Sequence, residues 1–170
     1  MRNTAFAALA ASLMLTACTP AAQPLSPADE TAIRALVDRF NAAVNANNAD
    51  AMTADFTSDA TIHPDQMPAA VGTEAIHQLW TGMLGQMRVT RFAHVVTKIS
   101  GEGNVAYLTG TYHVEATTAD SAHAPIPPGD GKFIQVLWRQ ADKSWKVVTD
   151  SWNTNTMPTA AAPAPAARSR

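Results

Sequence analysis

The sequence has a single cysteine and no excess of basic residues, and each shortage excludes a class of protein. Cys18 is the only cysteine among 170 residues. No intramolecular disulfide can therefore form, so the stability of the fold must come from packing. Lys and Arg total 12 against 14 Asp and Glu, which leaves no basic stripe for nucleic acid and no polybasic patch for lipid headgroups. We expect no nucleic-acid partner.

Several catalytic and cofactor motifs are also missing. The sequence contains no Gly-x-Ser-x-Gly elbow, no phosphate-binding loop and no dinucleotide fingerprint. The histidines His63, His77, His94 and His113 lack the close spacing that supports a zinc site, and a cysteine pair is excluded. The sequence therefore predicts neither a metal nor a cofactor.

The N-terminus has the pattern of a secretory signal peptide. A basic start at Arg2 precedes an apolar run from Ala5 to Ala17, and this run is shorter than the roughly 20 residues that span a membrane. The run ends in Leu-Thr-Ala-Cys at positions 15–18, which resembles the lipobox of bacterial lipoproteins. That resemblance implies removal of residues 1–17 and attachment of lipid to Cys18, which anchors the protein in a membrane of the bacterial cell envelope.

Two further points bear on location. In the lipoproteins that this segment resembles, an aspartate directly after the cysteine is associated with retention at the inner membrane. This chain has Thr19 at that position, which favours the outer membrane, with the protein facing the periplasm. The alternative is an ordinary leader cleaved after Ala17 or Ala22, which would release a soluble periplasmic protein.

The rest of the chain is expected to form one domain. Residues 18–25 read as a short Ala/Pro tether, residues 26–156 as the folded domain, and residues 157–170 as an unstructured Ala/Pro tail.

Helical patterns come first within the domain. Ser26, Pro27 and Asp29 form a capping box that opens a helix with apolar residues every three to four positions, ending near residues 47–48. A short helix is predicted over 49–56, a brief strand over 60–63, and a third helix from Gly72.

Extended patterns follow from Arg88 onward. Segments rich in Val, Thr, Tyr and Trp predict strands near 88–100, 104–118, 131–140 and 145–154, with turns between them. Helices followed by meandering strands predict an α+β fold, with the helices on one face of an antiparallel sheet.

Several segments carry a family resemblance. VDRFNAAVNA at 37–46, DATI at 59–62, GTEAI at 72–76 and WKVVTDSWN at 145–153 resemble the nuclear transport factor 2-like superfamily, and particularly its SnoaL-like members of the domain of unknown function 4440 type. The resemblance implies a cone: a curved antiparallel sheet of four to six strands, like the cystatin and ketosteroid isomerase rolls, wrapped around the N-terminal helices. It also implies an apolar pocket at the wide end and, often, a homodimer.

The resemblance to ketosteroid isomerases is tested at two positions. When their motif is laid on residues 37–64, the oxyanion-holding tyrosine falls on Phe40 and the catalytic base on Pro64. A phenyl ring cannot donate a hydrogen bond and a proline cannot take a proton. The steroid-isomerase machinery is therefore absent at its inherited positions.

The remaining catalytic candidates are His63, Asp65 and Asp150. A histidine oriented by a carboxylate can act as a general base, but a strand-end His63 and a loop Asp65 also fit solvated surface groups. Asp150 shares a strand phase with Trp152, and a buried carboxylate there would be either a functional acid or a structural hydrogen-bond acceptor. The phase stays open, because Trp145 and Trp152 lie seven apart and face opposite ways on an unbulged strand.

Three functions remain from the sequence. The first is binding of a small hydrophobic or amphipathic molecule, with contacts from Phe40, Trp80, Tyr107 and Trp152. The second is an isomerase, dehydratase or hydrolase that uses Asp150 or His63 as general acid or base. The third is an interaction module that forms a homodimer.

Overall fold

The computed structural model describes residues 23–155. The predicted lipidation site Cys18, the signal peptide and the predicted C-terminal tail, residues 157–170, lie outside these residues. Three helices, α1 (Pro27–Asn45), α2 (Ala49–Thr53) and α3 (Gly72–Gln86), are combined with six strands. The strands are β1 (Phe56–His63), β2 (Ala70–Val71), β3 (Met87–Glu102), β4 (Val105–Thr118), β5 (Pro125–Arg139) and β6 (Trp145–Thr154).

The helix starts follow the sequence signals. Ser26 Oγ accepts a hydrogen bond from the Asp29 N–H, and the Asp29 carboxylate accepts one from the Ser26 N–H, so the predicted capping box is confirmed. Asn48 caps α2 through its side chain. Gly72 opens α3 with a φ of +81°, a left-handed conformation in which glycine carries no steric cost.

The prediction of a short first strand was wrong at its N-terminal end. β1 begins at Phe56 rather than Ala60, and α2 ends at Thr53. Phe56 is buried against Phe40, with ring centroids 6.4 Å apart, and is paired with Val147 on β6. Burial on the sheet therefore overrides the helical pattern that Met52 and Phe56 share.

The six strands form one sheet in the order β2-β1-β6-β5-β4-β3. All pairs are antiparallel except β1 with β6, which run parallel. The α+β class and the curved, unclosed sheet with N-terminal helices are confirmed. Among residues 23–155, no helix combines the length and apolar character that crossing a membrane requires.

β5 begins six residues earlier than predicted, at Pro125. Its pairing with β6 ends at Gly131, whereas its pairing with β4 continues to Pro125. The first part of β5 therefore pairs with a strand on one side only. On its unpaired side, a proline that lacks an N–H removes no hydrogen bond of the sheet.

A bulge in β6 settles the question of phase. Val136 pairs with Thr149 while its neighbour Leu137 pairs with Val147, so β6 carries one extra residue at this point. The extra residue lets Trp145, Val147 and Asp150 all be buried on the inner face.

The opposite face of the sheet carries exposed apolar side chains. They are Val95, Val105, Ile134 and Trp138. The homodimer implied by the family resemblance stays a prediction.

Candidate functional site

A cavity of about 300 Å³ lies between the helices and the inner face of the sheet. Its wall is largely apolar. Aromatic side chains from helices and strands line it, namely Phe40, Trp80, Phe92, Tyr112, Phe133 and Trp152. Four methionines add flexible apolar surface, namely Met52, Met67, Met83 and Met87.

The aromatic rings contact one another in a continuous series. The Trp80 and Trp152 rings stack with centroids 5.4 Å apart, and Phe40 meets Trp80 edge-on at 6.1 Å. Phe40 in turn stacks on the imidazole of His94, with ring centroids 5.4 Å apart. Phe133 also stacks on this imidazole, with centroids 4.0 Å apart. These contacts join α1, α3, β3, β5 and β6 into one rigid wall.

Asp150 is the most unusual polar residue of this wall. Its residue surface is 3% exposed, and its Oδ1 has no hydrogen-bond partner among residues 23–155. Burial raises the pKa of Asp150 to about 7, an effect that hydrogen bonds from the Gln135 side chain and the Ser151 N–H only partly offset. The carboxyl group is therefore divided between its charged and neutral forms near neutral pH.

The sequence analysis missed His94 as a site residue. Burial lowers the pKa of His94 to about 3, so the imidazole is neutral, and its Nδ1 has no partner among the described residues. The Asn41 side chain on α1 accepts a hydrogen bond from the His94 N–H at 3.0 Å, which fixes this part of β3 against the helix. The alternation of Phe92 and His94 on one strand face was the available signal.

Two other polar groups belong to the same wall. Trp80 Nε1 is buried without a hydrogen-bond partner in the described part of the chain. Tyr112 lines the cavity opposite His94 on β4, and burial together with the nearby Asp65 charge raises the pKa of its hydroxyl. The cavity thus combines an apolar surface with polar atoms that the protein leaves unsatisfied.

Asp65 lines the cavity but is already engaged. Its Oδ2 accepts hydrogen bonds from the Thr154 N–H at 3.1 Å and the Thr154 hydroxyl at 2.8 Å. These bonds hold the pKa of Asp65 below its ordinary value, so the group is a carboxylate at neutral pH. A low pKa makes Asp65 a weak general base.

Two site predictions are not supported by the geometry. His63 ends β1 with an exposed side chain and does not line the cavity, whereas Pro64, Asp65 and Met67 after the strand do. Tyr107 lies on the outer face of β4, since its neighbours Ala106 and Leu108 occupy the inner one. The Lys98 ammonium sits 5.4 Å from the Tyr107 ring centroid on that outer face.

The other predicted residues do meet at the cavity. Phe40, Trp80 and Trp152 line it together with Asp65 and Asp150. Pro64 also belongs to its wall. Within residues 23–155 no group of three or more His, Asp or Glu side chains is arranged to hold a metal ion.

Comparisons with known proteins identify the family. Residues 37–146 match the SnoaL-like domain. A comparison with curated protein sequences finds no match.

Solved structures share the fold at low sequence identity. A ketosteroid isomerase-like protein from Erwinia carotovora atroseptica has a TM-score of 0.67 at 16% identity, over 75% of this chain and 96% of that chain. A nuclear transport factor 2-like superfamily protein from Salmonella enterica serovar Typhimurium has a TM-score of 0.63 at 12% identity, over 77% and 94%. A protein of unknown function with a cystatin-like fold from Nostoc punctiforme has a TM-score of 0.58 at 18% identity, over 79% and 97%.

Proposed function

The chain belongs to the SnoaL-like domain family, and we propose that it binds a small, largely apolar molecule in its cavity. One polar group of this molecule forms a hydrogen bond with the carboxyl group of Asp150. The observation that carries the proposal is an apolar cavity whose wall contains polar atoms of Trp80, His94 and Asp150 that have no hydrogen-bond partner within residues 23–155. Buried polar groups are normally paired, because an unpaired group carries its full desolvation cost. A ligand with a donor or acceptor would supply the missing partner.

The cavity volume limits the size of this molecule. An apolar cavity of about 150 Å³ accommodates benzene, and the cavity here measures about 300 Å³. A molecule of two fused rings therefore fits. A four-ring steroid would require the cavity to enlarge.

A neutral bicyclic probe tests the binding proposal. We expect calorimetric titration of the full chain with 2-naphthol to show one site. Val114→Phe places a larger side chain in the cavity wall and should weaken binding about tenfold, which corresponds to about 1.4 kcal/mol of binding free energy. The control Val95→Phe makes the same change on the outer face of β3 and should leave the affinity unchanged. No binding, or equal weakening by both variants, would overturn the proposal.

Proton transfer at Asp150 is a second candidate function. A carboxyl group with a pKa of about 7 can accept a proton and return it at neutral pH. On a bicyclic ketone it would take a proton from the carbon beside the carbonyl, leaving an enolate, and give a proton back to that carbon. Isomerisation and dehydration begin with this step.

Hydrogen exchange measures this step without knowledge of the natural substrate. We expect the full chain in D2O to accelerate the incorporation of deuterium into 2-tetralone, which proton NMR measures. Asp150→Asn should abolish the acceleration, whereas Asp59→Asn, an exposed aspartate on β1, should retain it. An unaccelerated rate with the unchanged chain would refute the catalytic alternative and leave ligand binding.

The proposed location is the bacterial cell envelope, with the domain tethered through lipid on Cys18 and facing the periplasm. The support is the Leu-Thr-Ala-Cys sequence after the apolar run. Two or more acyl chains together give stable anchoring. In a bacterial host grown with labelled palmitate, the full chain should incorporate label and Cys18→Ala should not. An unlabelled, unprocessed chain would refute the anchor.

A further inference from the structure

We infer that the cavity selects a cationic ligand, an amine carried on a bicyclic aromatic ring system, over neutral or anionic molecules of the same shape. The inference rests on the proposed function, because it specifies the ligand of the same cavity. It begins from the charges in the wall. Of the described residues that line the cavity, none is Lys or Arg, and two are aspartates, Asp65 and Asp150.

Every titratable group that lines the cavity can be named. Asp65 follows β1, His94 lies on β3, Tyr112 on β4 and Asp150 on β6, whereas α1, α2, α3 and β5 contribute none. The imidazole of His94 and the hydroxyl of Tyr112 are neutral at physiological pH. Lys132 acts on Asp65 through its charge but is not part of the wall. The wall therefore carries negative charge and no positive charge.

The aromatic surface has the same preference. The faces of aromatic rings carry partial negative charge and attract cations placed over them, most strongly for tryptophan. Trp80 and Trp152 stack on each other in the wall, with ring centroids 5.4 Å apart, and Phe40 and Tyr112 add further rings. An ammonium group among these rings would be stabilised by the rings as well as by a carboxylate.

Asp150 distinguishes an amine from an alcohol. Its Oδ1 has no hydrogen-bond partner in the part of the chain that the structure describes, and its residue surface is 3% exposed. A neutral alcohol donates one hydrogen bond but leaves the cost of the buried charge, so the pKa of the Asp150 carboxyl group would stay raised. An ammonium neutralises the carboxylate and donates to it, and charge-assisted hydrogen bonds are the stronger kind. An anionic ligand would face Asp65 and Asp150 with no compensating cation.

Three indoles of matched shape test the inference. Tryptamine, tryptophol and indole-3-acetate share a bicyclic ring and a short side chain that ends in an amine, an alcohol or a carboxylate. We expect calorimetry on the full chain at about pH 8 to show tryptamine binding about tenfold or more tighter than tryptophol, with indole-3-acetate weakest. In Asp150→Asn the advantage of tryptamine over tryptophol should disappear, whereas Asp59→Asn should keep it.

Proton release gives a second readout that needs no variant. With a pKa of about 7 for Asp150 in the free protein, tryptamine binding at pH 7 should release about half a proton, and tryptophol binding should release none. Titrations in buffers of different ionisation enthalpy measure this number.

The outcomes separate the inference from the proposed function. Tryptophol or indole-3-acetate binding as tightly as tryptamine, or tryptamine binding without proton release, would overturn the cation preference and leave a ligand-binding cavity. If none of the three indoles binds and 2-naphthol does not bind either, the proposed function fails, and the inference fails with it. Binding of 2-naphthol alone would overturn only the inference.

Discussion

Two buried aspartates, Asp29 at the start of α1 and Asp150 on β6, have opposite electrostatic environments. Asp29 is 8% exposed and Asp150 is 3% exposed, so both residues are largely removed from solvent. Their pKa values nevertheless shift in opposite directions. The difference lies in the partners that the fold supplies to each carboxylate.

Asp29 has a complete set of partners. Its Oδ1 lies 2.7 Å from the Arg139 guanidinium, and its Oδ2 accepts hydrogen bonds from the Ser26 N–H and hydroxyl. The guanidinium carbon of Arg139 also lies 4.7 Å from the centroid of the Trp145 ring. The indole Nε1–H of Trp145 donates a hydrogen bond to Asp29 Oδ1 at 3.4 Å. Arg139 and Ser26 hold the pKa of Asp29 well below its ordinary range. This cluster joins α1 to β5 and β6.

Asp150 has few partners, although it lies on the same strand as Trp145. Among the described residues, only the Gln135 side chain and the Ser151 N–H favour its charged form, and burial outweighs both. Structural carboxylates are usually fully paired, whereas strongly perturbed, unpaired ones in cavities mark functional sites. The fold therefore places a cationic and a hydroxyl partner beside Asp29 and leaves Asp150 available to a ligand.

The largest expected effect is loss of the ring that closes the Asp29 cluster. Trp145→Ala removes a 3% exposed indole and should lower the free energy of unfolding by about 3–5 kcal/mol. Trp138→Ala, at a half-exposed tryptophan on β5, should change it by about 0.5 kcal/mol or less. Urea denaturation of the full chain measures both. Equal losses would show that Trp145 has no special role in the core.

Asp150→Asn should stabilise the protein at alkaline pH. The folded-state pKa is raised from 3.8 to about 7, so the wild type loses stability as pH rises between these values and is constant above them. The loss amounts to about 4 kcal/mol, at 1.36 kcal/mol per pKa unit. Asp150→Asn should recover up to that amount at about pH 8 and little near pH 4. A wild type whose stability rises from pH 4 to pH 7 through this residue would contradict the expectation.

Asp29→Asn should have the opposite sign. Because the folded-state pKa of Asp29 is lowered, its contribution is present above the unfolded-state value of 3.8 and is lost as pH falls toward the folded-state value. The variant should therefore be less stable than wild type at neutral pH, and the gap should narrow in acid. Thermal unfolding between about pH 2 and pH 7 tests this. A gap that stays constant in acid would mean that the lost charge is not the cause.

The smallest effect is expected at the helix cap. Ser26→Ala removes the hydroxyl that accepts a hydrogen bond from the Asp29 N–H and donates one to Asp29 Oδ2. The substitution should lower the free energy of unfolding by about 1 kcal/mol. Thr31→Ala, an exposed hydroxyl bonded to the Pro27 carbonyl within α1, is the control and should cost less. A null effect of Ser26→Ala would show that Arg139 alone satisfies Asp29.

The capping box and the apolar face of α1 were predictable because local rules determine them. Ser26, Asp29 and the apolar spacing of α1 are recognisable in the sequence. The partner of Asp29 was not, because Arg139 lies more than a hundred residues away and only the folded register brings it close.

The candidate site was predictable only in part for the same reason. Alternation along β6 placed Asp150 on the face of Trp152, but an inward orientation for both Trp145 and Asp150 depends on a bulge that no turn residue signals. The bulge is defined by pairing with β5. His94 escaped notice because its role comes from stacking between Phe40 and Phe133, which lie on other elements.

The pKa of Asp150 is the most direct test of this account. Carboxyl ¹³C NMR on the full chain, with the Asp150 signal assigned by its loss in Asp150→Asn, follows the titration of this one group. We expect a midpoint of about 7 in the ligand-free protein, against the ordinary value of 3.8. A midpoint near 3.8 would contradict it, because the carboxylate would then have partners or solvent that leave nothing for a ligand to satisfy.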